Sequence, residues 1–490
     1  MAFQAYSIQD NHLHGGITAL AKEYNVCRQF IYTLLKTLKI GMLNLFSPIE
    51  KAVANNKKEI MSAILSYRME GGSSIEAIST LMKRFEMGYS SVGYISQTLS
   101  SIGKLLPNTL KAKGNKRYLL TIASDEIFSK SRPILITVDA ISGVILKIEL
   151  SDDRSGKAWS NHFKTIEESG FKATTLASDG GTGLQFGKQE ALENAIFQPD
   201  TYHAVAHRLG IFVSRFEKNA YSAIEYEYSR KDVLNSAKTE IVIAKRLKDY
   251  EDAIIATSIA IELYEDFQFL YLCIINSLKP FHNDGTIRER EKAEEEIQTA
   301  LELMERINNE KIAKEIKTIK GILPNLLNYF EQTKLVLKKC QELNIQKKAL
   351  QTLCSAWQYG KSYVKAKVPS RRKDAKTKKD SSLEKAKLLL AENYEQLKEK
   401  VFNELDTIIQ ASSIVEGINS ILRPYLDRSK NQVSQDFLNI FMFYHNHRRY
   451  RAGKRKSRTP MEILTGNPQE KNWMELLINQ IEISEPTFFL

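Results

Sequence analysis

The chain has 490 residues and a mass of 55.9 kDa, too long for one compact core, and this length predicts two to four domains. With 43% hydrophobic and 26% charged residues the composition is that of a globular protein, which excludes wholesale disorder. The formal net charge of +12 makes a polyanion the first partner to consider. Because the sequence shows no signal peptide and no apolar run of membrane-spanning length, we expect a cytoplasmic protein without membrane contact.

The first residues, 1–45, have the spacing of a helix-turn-helix unit. Ala21 is a small residue where two helices would cross, and Asn25 is a turn residue that tolerates positive φ. Ile31 would anchor the second helix, which we predict from Arg28 to about residue 38. This pattern is typical of DNA-binding units, although a helical hairpin without a DNA partner has the same spacing.

The amino-terminal end of such a second helix reaches base edges in DNA-binding proteins, so we expect Arg28 and Gln29 to read DNA sequence. A second, looser helix-turn-helix unit is predicted over residues 46–106. Its expected helix caps are Ser74 and Ser90. Two such units in one basic protein favour a DNA-binding function over the bare hairpin.

Residues 107–209 change character and predict a mixed β-sheet with flanking helices. Three apolar runs predict an antiparallel meander over residues 118–127, 133–139 and 143–150. The elements expected next are a helix at 157–169, a strand at 173–178, a helix near 188–194, a short strand before residue 203 and a helix from 204. The resulting order is β-β-β-α-β-α-β-α.

Residues 210–406 are predicted to form a large all-α insertion, because apolar residues recur at three-and-four spacing between charges. Within it, residues 368–382 contain a proline and a cluster of lysines and arginines, and we expect an exposed basic loop that either contacts nucleic acid or is merely solvated. Helices resume over residues 407–466, and 467–490 form a C-terminal segment.

A basic tail lies near the end of the chain, with seven basic and no acidic side chains between residues 448 and 458. Such a block is suited to phosphate contacts, which position a protein on DNA without reading sequence. The residues expected to bind DNA in this way are Arg448, Arg449, Arg451, Lys454, Arg455, Lys456 and Arg458.

Three carboxylates occupy positions suited to phosphodiester chemistry. Asp125 lies at the end of the first strand, and Asp179 closes the fourth strand before Gly180 and Gly181, whose bare backbones let a large substrate approach. Glu416 lies on a helix whose apolar face would pack on the sheet. Three carboxylates brought together can hold two divalent cations, and oxygen ligands suit Mg²⁺ or Mn²⁺.

Three other carboxylates compete for the same role. Asp139 ends the second strand, which runs antiparallel to the first, so we expect it to accept backbone hydrogen bonds in a turn. Glu404 and Asp406 precede the helix that carries Glu416.

The sequence resembles the DDE transposases and retroviral-type integrases in four features. These are the strand order, DEIF after an apolar run, SDGGTG some fifty residues later, and IVEGINSILR followed by YHNHRRYRAGKRKSRTPMEIL. The resemblance covers residues 118–207 and 413–466, with the helical block inserted before the final glutamate. It implies an RNase H-like catalytic core in which Asp125, Asp179 and Glu416 bind two Mg²⁺ or Mn²⁺ ions.

The resemblance also bears on two neighbouring positions. Ser178 stands where integrase-like sequences often have a histidine before the second aspartate, which departs from that pattern. His203 falls where related transposases often have a histidine at the end of the fifth strand. It either lines the site or is an ordinary buried histidine.

The function implied is that of a bacterial insertion-sequence transposase, nucleoid-associated in the cytoplasm, which cleaves element ends and joins them to target DNA. Binding two ends implies a homodimer or a higher oligomer on double-stranded DNA. A transposase-derived DNA-binding regulator without catalysis is the alternative. An unrelated helical scaffold is a second rival, but it would not explain the aspartates at the strand ends.

Overall fold

A computed structural model describes residues 1–45, 49–114, 117–430, 432–486 and 488. The chain divides into two compact units, Met1–Leu99 with Met474–Leu490, and Ser100–Trp473. Helices make up most of the described residues, and one mixed five-stranded sheet lies in the second unit. Across these ranges no helix combines the length and the hydropathy that crossing a membrane requires.

Six helices precede the sheet: α1 (Ala2–Asp10), α2 (Gly16–Glu23), α3 (Arg28–Leu45), α4 (Ile49–Leu65), α5 (Ile75–Arg84) and α6 (Val92–Leu105). The predicted turn between α2 and α3 is confirmed, since Asn25 has a φ of 52°. Ala21 and Ile31 are both buried in the small core that α1, α2 and α3 share. The expected second helix starts at Arg28 but runs seven residues further than predicted, to Leu45.

The second predicted pair corresponds to α5 and α6. Ser74 caps α5 as expected, accepting a hydrogen bond from the Ala77 backbone N–H at 3.2 Å. The cap expected at Ser90 is wrong by one residue, because the Ser91 hydroxyl accepts the Tyr94 N–H at 3.2 Å. The Ser90 carbonyl instead accepts a hydrogen bond from the Ser79 hydroxyl at 2.6 Å.

The sheet contains strands β1 (Tyr118–Ser129), β2 (Arg132–Asp139), β3 (Ile145–Leu150), β4 (Phe171–Ser178) and β5 (Ile196–Pro199), with helices α7 (Gly156–Glu168) and α8 (Thr182–Ala191) between the later strands. Its strand order is β3-β2-β1-β4-β5. The first three strands pair antiparallel, and β4 pairs in parallel with both β1 and β5. This is the mixed sheet that the order of elements predicts, with β1 at its centre.

The insertion consists of α9 (Arg208–Asn235), α10 (Glu240–Ser277), α11 (Arg290–Glu305), α12 (Glu310–Leu326), α13 (Tyr329–Gln341), α14 (Lys347–Lys365), α15 (Pro369–Leu390) and α16 (Tyr394–Leu405). One apolar core joins them. The basic loop expected at 368–382 is wrong, because these residues belong to α15. Pro369 stands in the first turn, where no backbone donor is lost, and Ala375, Ala386 and Leu390 bury an apolar stripe.

The chain then forms α17 (Ser413–Arg428), α18 (Gln435–His447), α19 (Pro460–Thr465) and α20 (Trp473–Ser484). Side-chain amides cover both edges of the sheet. From α18, the Asn446 amide exchanges two hydrogen bonds with the Ile145 backbone, at 2.8 and 2.9 Å. The Gln435 amide forms hydrogen bonds with the backbone at the other end of β3. At the opposite edge, the Asn328 amide donates to the Phe197 carbonyl at 2.9 Å.

A buried polar network joins α7 to the sheet. His162 is fully buried, with Nε2 3.1 Å from Thr137 Oγ1 and Nδ1 3.1 Å from Glu149 Oε2. Lys147 Nζ lies 3.1 Å from the same Glu149 oxygen. Burial lowers the pKa of His162 to about 4, although the hydrogen bond to Glu149 opposes this shift, so the imidazole is neutral near pH 7.

Acidification should therefore remove the stability that the neutral His162 side chain gives the second unit. Below pH 6.5 the unfolded chain binds a proton at His162 that the folded chain excludes, so this contribution falls between pH 6.5 and 4 by up to about 3 kcal/mol. Protonation of Asp125, whose pKa is raised to about 7, acts in the opposite direction, so the decline is measured in an Asp125→Asn background. We expect His162→Gln to lower stability at pH 7 and to flatten this decline in thermal unfolding curves. His282→Gln, at an exposed histidine of the same unit, should leave the decline unchanged. An equally steep decline in both variants would contradict the assignment.

Candidate functional site

The parallel pairing of β1 with β4 brings Asp125 and Asp179 to neighbouring positions. The last paired residues are Ala123 and Ala177, and each aspartate lies two residues further along its strand direction. Asp125 is partly buried within β1, whereas Asp179 is exposed immediately after β4. Adjacent parallel strands therefore carry two of the three expected site residues to the same end of the sheet.

Helix α17 carries Glu416 to this end of the sheet, where Asn419 of the same helix contacts Asp125. The Asn419 side-chain N–H donates to Asp125 Oδ2 at 2.8 Å, which fixes the helix against β1. Glu416 lies three residues earlier and therefore on the same side of the helix. Asp125 and Glu416 are 291 positions apart in the sequence, and the hydrogen bond from Asn419 to Asp125 connects their elements.

The start of α17 is fixed by Asp200, directly after β5. This carboxylate is 1% exposed and accepts four hydrogen bonds. Oδ1 accepts the Tyr202 and His203 backbone N–H groups at 2.7 and 3.0 Å, and Oδ2 accepts the Ser412 backbone N–H at 2.7 Å and its hydroxyl at 2.8 Å. Asp200 therefore ties the end of β5 to the residue that precedes the helix carrying Glu416.

His203 contacts Glu416 directly, with Nε2 3.1 Å from Oε1. It is partly buried, and it lines the site as the sequence allowed. Together with Asp200 these residues form a group whose potential ligand atoms all lie within 4.8 Å of one another, whereas Asp125, Asp179 and Glu416 do not form a group that tight. Since both Asp200 oxygens already accept two hydrogen bonds each, we assign Asp200 a positioning role.

The three expected carboxylates nevertheless interact electrostatically. The pKa of Asp125 is raised to about 7, first by burial and then by the negative charge of Asp179. Glu126 and Glu416 add smaller effects in the same direction, while the backbone N–H of Glu126 opposes them. A carboxylate that is costly to ionise beside other carboxylates is the arrangement that a bound cation relieves.

The residues present fit a hard divalent cation. Carboxylate oxygens are the preferred ligands of Mg²⁺ and Mn²⁺. In addition, Asn419 Oδ1 is buried without a hydrogen-bond partner in the described part of the chain, and buried amide oxygens rarely stay unpaired. We therefore take Asp125, Asp179 and Glu416 as the residues that would hold the metal, with Asn419 beside them.

The turn after Asp179 depends on glycine. The Gly181 backbone N–H donates to Asp179 Oδ1 at 3.0 Å, and Gly180 has a φ of 86°, which side chains with a Cβ rarely adopt. A cavity of about 390 Å³ opens beside this turn. Its lining residues are Asp179, His203, His207, Arg208, Ile211, Phe212 and Glu315.

The competing carboxylates have other partners. Asp139 is 2% exposed and accepts hydrogen bonds from the Ser142 backbone N–H at 2.8 Å and its hydroxyl at 2.5 Å, which confirms the expected turn role. Asp406 pairs with Lys454 at 2.8 Å. Glu404 lies 3.8 Å from Lys339.

The residues expected to contact DNA differ in their surroundings. Arg28 and Gln29 are exposed at the start of α3, as a reading helix requires. In the tail, Arg449 is committed to the fold, because its guanidinium donates to both Glu462 oxygens at 3.0 Å. Glu462 in turn caps α19 in a capping box with Thr459.

Some of the other tail cations contact partners within the chain, and others are exposed without an ion pair. Arg448 lies over the Tyr444 ring, Lys454 pairs with Asp406, and Arg455 donates to the Ile141 carbonyl at 2.5 Å. By contrast, Arg451, Lys456 and Arg458 are exposed and make no ion pair within the described chain. The phosphate-binding capacity predicted for the tail therefore rests mainly on these three.

Compared with known proteins, the chain matches no protein-family model, and no curated protein matches its sequence.

Removing the Asp125 charge should stabilise the metal-free protein. Because the folded pKa is raised above that of the unfolded chain, ionisation costs stability as pH rises from about 4 through 7. At pH 8 in EDTA we expect Asp125→Asn to raise the free energy of unfolding by up to about 4 kcal/mol. Mg²⁺ should then stabilise the wild type and not the variant, as measured by thermal unfolding. Asp427→Asn, exposed on α17, is the control, and equal Mg²⁺ stabilisation of all three proteins would refute a metal site at Asp125.

Proposed function

We propose that the protein is a DNA transposase with an RNase H-like catalytic core, which cleaves the ends of a mobile element and transfers them to target DNA. The observation that carries the proposal is the gathering of Asp125, Asp179 and Glu416 from a central strand, its parallel neighbour and a helix beyond a long insertion. The sheet order and the raised pKa of Asp125 support the same conclusion. The resemblance of the motifs to DDE transposases and integrases is consistent with it.

Each residue has a definite task under this proposal. Asp125, Asp179 and Glu416 would hold Mg²⁺ or Mn²⁺, and Asn419 would keep Asp125 turned toward the metal. Two bound cations would supply the charge that activates an attacking hydroxyl and stabilises the leaving oxygen in phosphodiester cleavage. His203, 3.1 Å from Glu416, would orient that carboxylate, and the glycines after Asp179 would allow the DNA backbone to approach.

The partner is double-stranded DNA, bound at element ends and at the target, with at least two copies of the chain on the DNA. Arg28 and Gln29 would read sequence, and the tail would hold phosphates. A bacterial protein with this function would be cytoplasmic and associated with the nucleoid.

A DNA-binding regulator without catalysis is the second candidate. The observation that favours it is the separation of the Asp125, Asp179 and Glu416 oxygens, which do not form a group within 4.8 Å, unlike Asp200, His203 and Glu416. Metal-dependent nicking of DNA separates the two candidates.

We expect Asp125→Asn, Asp179→Asn and Glu416→Gln each to abolish Mg²⁺-dependent cleavage and to leave DNA binding nearly intact. Each change removes a metal ligand at nearly constant shape. The measurement is strand cleavage of duplexes carrying the inverted repeats that flank the coding region, with Asp427→Asn as the control on the same helix as Glu416. Retained cleavage in one of the three variants would show that its carboxylate is not a ligand.

Neutralising the reading helix and the tail should have different effects. We expect Arg28→Ala with Gln29→Ala to reduce the preference for element ends by about tenfold, since one good base contact contributes about 1–3 kcal/mol of discrimination. Replacing Arg451, Lys456 and Arg458 by Gln should weaken cognate and scrambled duplexes equally and flatten the salt dependence. Binding across a salt series measures both effects. Loss of sequence preference in the tail variant alone would reverse this division of roles.

A further inference from the structure

The basic charge of the chain is concentrated in two places. Residues 347–390, which form helices α14 and α15, contain thirteen basic and three acidic residues, a net charge of +10. The tail at 448–458 adds seven basic residues, so the rest of the chain is net acidic. The positive net charge that first suggested a polyanionic partner is thus a local property of a helical pair and a loop.

Most of the cations on the helical pair are exposed and uncompensated. Ten of them are exposed and make no ion pair within the described residues: Lys347, Lys348, Lys365, Lys367, Arg371, Arg372, Lys373, Lys376, Lys385 and Lys387. Lys378 is the exception among the exposed cations of α15, since it pairs with Asp374 at 2.8 Å. Cations fixed this close on a rigid helix repel one another, and a polyanion relieves the repulsion.

The surface reaches the tail on one side. Asp406 joins the two, because Oδ1 accepts the Trp357 indole N–H at 3.0 Å and Oδ2 pairs with Lys454 at 2.8 Å. Lys361 lies over the Trp357 ring, 3.8 Å from its centroid. Burial lowers the pKa of Lys361 to about 7, with Asp406 opposing and Lys365 and Lys454 adding to the shift. Helix α14 and the tail therefore meet at Asp406.

We propose that helices α14 and α15, together with the tail, form a binding surface for the phosphate backbone of duplex DNA. The inference deepens the proposed function and rests on it for the identity of the DNA substrate. Arg371, Lys378 and Lys385 recur every seven residues and so follow one side of α15 at intervals of about 10 Å.

The aromatic side chains of this surface favour a duplex over a single strand. Arg372 lies over the Tyr363 ring at 4.8 Å from its centroid, and Lys379 lies over the same ring at 5.9 Å. Lys378 lies over the Tyr359 ring at 5.8 Å. Single-strand binding proteins stack bases on open aromatic faces, and here cations occupy those faces.

The test compares two triple variants with the same loss of charge. One replaces Arg371, Lys373 and Lys376 on α15 by Gln, and the matched control replaces Lys311, Lys314 and Lys317 by Gln, which are exposed on α12 of the same insertion. The measurement is anisotropy of a fluorescein-labelled duplex of mixed sequence across a NaCl series. We expect the α15 variant to bind about tenfold more weakly at low salt, with a salt slope smaller by about 2–3, because each phosphate contact contributes about 0.9. The α12 variant should bind like the wild type.

Circular dichroism and thermal unfolding verify that both variants are folded, and Lys385→Gln with Lys387→Gln provides a second variant of α15. An α15 variant that binds like the α12 control would overturn the inference while leaving the proposed function intact. A wild-type protein that binds no duplex would overturn both. Tighter, α15-dependent binding of a single-stranded RNA of equal length would overturn the assignment to duplex DNA.

Discussion

The candidate site depends on the buried carboxylate of Asp200. Two of its four hydrogen bonds join the end of β5 to Ser412, the residue before α17, and so close a segment of about 200 residues, while the other two come from the Tyr202 and His203 backbone N–H groups. Closing so long a loop is entropically costly for a flexible chain. The insertion reduces this cost because it is itself folded around an apolar core and is anchored near the closure, where the Gln410 amide donates to the Leu278 carbonyl at 3.1 Å. Replacing Asp200 would leave several buried donors without an acceptor and release the helix that carries Glu416.

The sequence predicts well those features that short-range patterns determine. Apolar runs bounded by turn residues locate all three strands of the meander, and the parallel pairing of β1 with β4 places Asp125 beside Asp179. The expectation that Asp125 ends the first strand is wrong, because β1 continues to Ser129 in its pairing with β2. Asn25 is predicted correctly because a left-handed turn residue has a compositional signal of its own. The choice of Glu416 over Glu404 and Asp406 rested on the family-like motif of its helix and stays a prediction. The expected packing of this helix on the sheet agrees with the contact of α17 with β1, where Asn419 donates to Asp125.

Long-range partners could not be predicted. Basic residues between Val368 and Ser382 suggested a loop, yet a stripe of only three buried apolar residues, paired with α14, suffices to order a helix. The positioning roles of Asp200 and Asn419 depend on partners more than 200 residues away, for which one sequence carries no signal. In the sequence Arg449 is one of seven similar basic residues of the tail. Only its contact with Glu462 in the structure shows that it stabilises the start of α19.

The amides that cover the two edges of the sheet have a consequence for self-association. Asn446 and Gln435 occupy the backbone groups of β3, and Asn328 occupies a carbonyl of β5, so neither outer strand offers a free row of donors and acceptors along those positions. A second chain cannot extend this sheet there without displacing side chains that are already bonded. Copies of the folded protein would therefore not associate by extending this sheet at those positions.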